Sequence, residues 1–123
     1  MRPRSERTPD PAEDREDAAL RFLGLARRAG AVEAGVDAAR RAVRSGRAAL
    51  VLTASDASST QLEKVRGPAE RAGVAVEVLG TRSRLGEAVG GPPLSAVAVT
   101  EVGLAKQLTL RIPAPDRDGN AAK

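Results

Sequence analysis

A single aromatic ring, Phe22, has to serve a chain of 123 residues that contains no Tyr and no Trp. The core must therefore be assembled from Ala, Val and Leu. Such side chains fill thin helix-on-sheet layers well, although each buries only a modest area. The hydrophobic share of 41% lies within the globular range. The length suits one compact domain with one core, and two independent domains would be hard to fit.

Apolar residues are distributed unevenly. Residues 1–16 are rich in Pro and charge and read as a disordered tail, and so does the end of the chain, 112–123, with Pro113, Pro115 and Asp116. The expected folded unit is 17–111. Within it the apolar period switches repeatedly between helix and strand. Asp17 is placed to cap a helix running to about Arg28, with Ala19, Phe22, Leu23 and Ala26 on one face and Gly30 at its stop. Ala31–Ala34 reads as a brief strand. Gly35 opens a second helix carrying Val36, Ala39, Ala42 and Val43, which Gly46 closes. The continuous apolar run Ala48–Thr53 reads as a strand buried on both faces. Asp56 is placed to cap a third helix through Leu62 and Val65, with a kink or break expected at Gly67-Pro68. A strand over 74–78 follows, then a short helix capped by Thr81, a Gly90-Gly91-Pro92-Pro93 loop, a strand at Ala96–Val99, and a final helix marked by Val102, Ala105 and Leu108. Strands alternating with helices define an α/β layered fold with a largely parallel or mixed sheet.

The absence of Cys and His removes disulfides, thiol nucleophiles, the usual zinc sites and His-based acid–base chemistry. Neither a metal nor another cofactor is expected, and no enzyme. No apolar run approaches the roughly 20 residues of a membrane span, and the amino terminus lacks the apolar core of a signal segment. A cytoplasmic location follows by default, with no membrane partner. The formal net charge is +4 and the pI about 10.6. Residues 1–17 carry four arginines against six carboxylates, a net of −2, which leaves +6 on the remainder. A basic folded part favours a polyanionic partner.

Four segments are candidates for chemistry. A helix opening at Gly35 presents free N–H groups and a positive dipole end to phosphates or base edges, with Arg41 within reach. The same residues also read as a turn glycine, a first-turn acid in Asp37 complementing the dipole, and a solvated arginine face. Arg27, Arg28, Arg40, Arg41, Arg44 and Arg47 could join into one basic patch or be separately solvated. With no interleaved aromatics, shape and backbone recognition of RNA is favoured over base stacking. Asp56, with Ser55, Ser58 and Ser59, falls at the carboxyl edge of a buried strand, where ligands bind in open α/β sheets and a carboxylate can hold a metal or act as a base; Asp and Ser at a helix start are first of all caps, and no second carboxylate, His or Lys stands nearby in sequence to complete a catalytic set. The loop Gly90–Ser95 either just turns the chain or carries Leu94 at the tip of a recognition loop.

Taken in order, these pieces resemble the bacterial YlxQ-like branch of the kink-turn-binding ribosomal protein superfamily, the archaeal L-seven-Ae type. The resemblance runs through Phe22-Leu23-Gly24-Leu25-Ala26-Arg27-Arg28-Ala29-Gly30, Gly35 with Arg41-Ala42-Val43, Ala49-Leu50-Val51-Leu52 with Ser55-Asp56-Ala57-Ser58, Arg84-Leu85-Gly86-Glu87-Ala88-Val89-Gly90, and Ala96-Val97-Ala98-Val99-Thr100. It covers about 20–110. It implies a three-layer α/β/α sandwich around a mixed four-stranded sheet. It also implies a non-enzymatic protein that docks structured RNA of the ribosome or translation machinery, with ribosomal or translation-factor proteins as further partners and no DNA. The family's Gly–x–Asn–Glu–x–x–Lys motif, which reads sheared G·A pairs, falls on Gly35, Asp37, Ala38 and Arg41. Asp37 replaces an amide donor with an acceptor-only carboxylate, and Ala38 makes no polar contact. By the same resemblance Arg82 and Arg84 reach phosphates, and Leu94, Ser95 and Ala96 form the loop contact; Arg40 and Arg44, from the basic set, are expected to join the RNA-binding surface. A protein-interaction module that keeps the fold without specific RNA recognition is the alternative reading.

Overall fold

The computed structural model describes residues 11–113. The chain order is α1 (Pro11–Arg28), β1 (Val32–Ala34), α2 (Val36–Arg44), β2 (Leu50–Thr53), α3 (Ser59–Ala72), β3 (Val76–Val78), α4 (Arg82–Ala88), β4 (Ala96–Val99) and α5 (Val102–Arg111). The four strands form one sheet in the order β1-β4-β2-β3. β4 is antiparallel to both β1 and β2, and β3 is parallel to β2. The sheet is mixed, as expected.

The pleat sends alternate residues to two helical layers. Leu50, Leu52, Val97 and Val99 join Ala19, Leu23, Leu85 and Leu108 in a core with α1, α4 and α5. Val51, Ala96 and Ala98 face α2 and α3 and pack with Ala39, Ala42, Val43 and Val65. Alanines dominate this second layer, so α2 lies close to the sheet, and no aromatic ring is needed to fill the gap. Phe22, the one ring, lies at the rim of the first core, with the Arg111 guanidinium 4.5 Å from its centroid. Another close approach is between α1 and α4. A Cβ on Gly24 would sit 2.9 Å from the carbonyl oxygen of Ala88.

Four expectations change. First, α1 begins at Pro11, not after Asp17. Pro suits a first helical turn, and Glu13 and Asp14 complement the dipole there. Asp17 is therefore not a cap. With Glu16 it holds the guanidinium of Arg84 on α4. Second, α3 runs unbroken through Gly67-Pro68. Its cap is Ser58, whose hydroxyl accepts the Gln61 N–H at 3.2 Å, and not Asp56. Third, Val102 on α5 is 61% exposed, while Ala105 and Leu108 are buried. Fourth, Ile112, placed in the carboxyl-terminal tail by composition, is 8% exposed and belongs to the first core. The rest of the two expected tails, 1–10 and 114–123, lies outside the described residues.

Candidate nucleic-acid interface

The strand register fixes which loops meet. Ala34 pairs with Val97, Thr53 with Ala96, and Thr53 with Val78. The carboxyl ends of β1, β2 and β3 and the start of β4 therefore share one edge of the sheet. Three helices, α2, α3 and α4, begin at that edge and aim their positive dipole ends towards it.

Two of these helix starts are closed by side chains. Ser58 caps α3, and Thr81 caps α4 by accepting the Arg84 N–H at 3.2 Å. Across the edge, Asp56 Oδ1 also accepts the Arg82 N–H at 2.8 Å. Only α2 lacks a side-chain cap among the three. Its entry residue, Gly35, has φ 104° and ψ 156°, a conformation that only glycine adopts readily. Space is not the reason, since a Cβ there would meet nothing within 4 Å. The Gly35 N–H is held by the Ala96 carbonyl at 2.9 Å. This bond ties the start of α2 to β4, while the N–H groups of Val36, Asp37 and Ala38 have no partner within the helix.

Asp37 is exposed in that first turn, and Ala38 and Arg40 are half-buried. Arg41 and Arg44 follow, exposed, one and two turns on. None of Arg40, Arg41, Arg44 and Arg82 forms an ion pair among the described residues. Arg82 and Arg84 open α4 at the same edge, and Leu94 and Ser95 come in beside them. The Leu94 N–H donates to the Arg82 carbonyl at 3.0 Å, and the Ser95 carbonyl accepts from the Ala54 N–H at 2.9 Å. The edge thus gathers Gly35, Asp37, Ala38, Arg82, Arg84, Leu94 and Ser95, while Arg40, Arg41 and Arg44 continue from it along α2.

Three candidates are placed differently from their expected roles. Ala96 is 1% exposed, with its side chain in the α2–α3 core, so it supports the edge through its carbonyl. Leu94 is half-buried against the first core, and Gly90, Gly91, Pro92 and Pro93 are the exposed part of the loop. Arg84 is committed to Glu16 and Asp17, and its guanidinium is held more firmly protonated than usual, chiefly by the hydrogen bond to Asp17. Nor do the six arginines form one patch. Arg27 lies on α1, on the opposite side of the sheet from α2, and reaches the Val89 carbonyl at 3.4 Å, while Arg47 pairs with Glu33 at 3.0 Å.

Two contributors were not singled out from the sequence. Gly86 lies under the loop, where a Cβ would fall 2.1 Å from the Pro92 carbonyl oxygen, and its own carbonyl accepts the Gly91 N–H at 2.9 Å. A glycine inside a helical pattern is the available signal for such a close approach. The other is Thr53, fully buried in register with Ala96, whose hydroxyl has no hydrogen-bond partner among the described residues. Among the described residues no group of three or more His, Cys, Asp or Glu could hold a metal ion, and no helix is long and apolar enough to cross a membrane.

Comparison with known proteins agrees with this architecture. The chain is 38% identical over 87 residues to the RNA-binding protein YlxQ of Bacillus subtilis (strain 168), covering 71% of this chain and 87% of that protein. A solved structure of a protein with unknown function from Bacillus halodurans matches with a TM-score of 0.73 at 30% identity, covering 78% of this chain and 97% of the other. The Giardia lamblia 15.5kD RNA binding protein shares the fold, with a TM-score of 0.66 at 20% identity over 85% of this chain and 90% of its own. Residues 17–109 match the family model of the ribosomal protein L7Ae/L30e/S12e/Gadd45 family, and the chain belongs to that family.

Proposed function

We propose that the chain is a non-enzymatic RNA-binding protein that docks structured, kink-turn-like RNA of the ribosome or translation machinery in the cytoplasm. The carrying observation is the uncapped start of α2 at Gly35, on the edge shared with Arg82 and the 90–95 loop. Family membership and the similarity to an RNA-binding relative support the same reading. The first-turn amides that follow Gly35 and the helix dipole meet the acceptor-rich backbone of a bent RNA, and Arg41 and Arg82 supply charge. Binding then rests on shape and phosphate contacts, since the edge carries no aromatic side chain for stacking.

Replacing Arg41 with Glu reverses a charge in open solvent without touching the core. It is expected to weaken binding to a kink-turn RNA by about tenfold or more. Gly35→Val is expected to weaken it as well, by forcing the entry to α2 out of its conformation. Filter binding or fluorescence anisotropy with the wild type and both variants tests the assignment, and equal affinities for all three would refute it.

The exposed Asp37 favours a second reading, in which the same edge binds a protein. Its carboxylate lies in the first turn, where a phosphate would otherwise approach. Capture of a ribosomal or translation-factor protein that persists after nuclease treatment would support this reading over the first.

A further inference from the structure

Resting on the RNA-binding reading, the geometry points to Asp56 as a positioning residue for the interface: its carboxylate fixes the Arg82 peptide, and through it the 90–95 loop. Asp56 Oδ1 accepts the Arg82 N–H at 2.8 Å, across 26 residues of chain. On the other side of the same residue, the Arg82 carbonyl accepts the Leu94 N–H at 3.0 Å. One residue thus links the loop after β2 to the loop before β4. Neighbouring bonds run parallel to this link. The Ser55 N–H donates to the Gly80 carbonyl at 2.7 Å, and the Ala54 N–H to the Ser95 carbonyl at 2.9 Å.

Local capping does not account for Asp56. α3 has Ser58 and α4 has Thr81, so each helix already carries its own cap. What Asp56 adds is a connection between segments distant in sequence, and the residue it holds is Arg82, a cation of the edge that forms no ion pair among the described residues. The carboxylate is exposed beside a surface meant for a polyanion. As a bare charge it opposes RNA, and deleting it should then tighten binding. As a positioning group it has the opposite effect, because without it Arg82 and the loop lose their fixed places. The two roles therefore predict opposite signs.

The test uses the full chain, as wild type, Asp56→Ala and Asp56→Asn, titrated against a kink-turn RNA and against the same stem with its G·A pairs made Watson–Crick. Amide hydrogen exchange at Leu94 is followed in the free proteins. Asp56→Ala is expected to bind the kink-turn about five- to tenfold more weakly, with faster exchange at Leu94. Asp56→Asn keeps an acceptor oxygen and is expected to stay within about twofold of wild type. Unchanged or tighter binding by Asp56→Ala, with Leu94 still protected, would overturn the inference. So would an Asp56→Asn variant as weak as Asp56→Ala. A wild type without preference between the RNAs would instead refute the RNA reading, and Leu94 exchange would still decide whether Asp56 holds the loop.

Discussion

Glycines and small side chains set the geometry of the edge. Gly86 is the most constrained of them, because the Pro92 carbonyl occupies the volume of its missing Cβ. Gly86→Ala should displace the loop and destabilise the fold by about 1–3 kcal/mol. Chemical denaturation reads that cost, and a titration with kink-turn RNA should show weaker binding in the same variant. Thr53 offers the converse case. Its buried hydroxyl has no partner among the described residues, so Thr53→Val exchanges an unsatisfied polar atom for a methyl of similar size. That change should leave stability equal or raise it by about 1 kcal/mol, and a fall of more than that would show that the hydroxyl is satisfied in solution. A glycine before an amphipathic run that carries arginines marked Gly35 and Arg41 as candidates in the sequence, with a turn glycine and a solvated face as the alternative reading. Asp56 was marked too, but as a cap or an edge residue; its bond to Arg82, like the approach of Gly86 to Pro92, joins separate segments and no local pattern records it.

Among the elements, α2 is where sequence and structure agree most closely. Its apolar face, Val36, Ala39, Ala42 and Val43, packs as its period predicts. The opposite face carries Arg40, Arg41 and Arg44, so a phosphate-dominated interface should show a steep salt dependence. Replacing Arg41 and Arg44 with Ala should lower the slope of log affinity against log salt by about 1–2. An unchanged slope would place the phosphates elsewhere. Helix ends were less legible. Pro11–Asp17 has Ala12 as its one hydrophobic residue, so no periodicity announces a helix, yet the segment belongs to α1 and places Glu16 and Asp17 against Arg84. Gly67-Pro68 reads as a breaker, but α3 continues through it because Val65 and Ala69 anchor both sides in the core. In each case the deciding contact is tertiary.

For the molecule as a whole, the layer order and the mixed sheet follow from alternating periods and from the family resemblance. The strand order β1-β4-β2-β3 required the structure, because β4 pairs between two strands that precede it in sequence. We propose 17–111 as the core folding unit, with one extension. Core contacts of α1 start at Ala19, and Ile112 is buried with them. A chain spanning 17–113 should therefore fold with a stability within about 1 kcal/mol of the full length, since among the described residues it gives up the first turns of α1 and the Glu16–Arg84 pair and keeps the core. Ending at 111 should cost about 1.5–3 kcal/mol more through Ile112. Urea denaturation of the two shortened chains separates these outcomes.

RNA recognition at the uncapped start of α2 is tested by a titration of the wild-type chain at near-physiological salt against two RNAs. One contains a standard kink-turn, and the other is the same stem with its G·A pairs changed to Watson–Crick pairs. Clear preference for the kink-turn is expected, with Gly35 and Arg41 sufficing despite Asp37 and Ala38. Equal or absent binding to both would contradict it, and would mean that the fold persists while the target of this edge has changed.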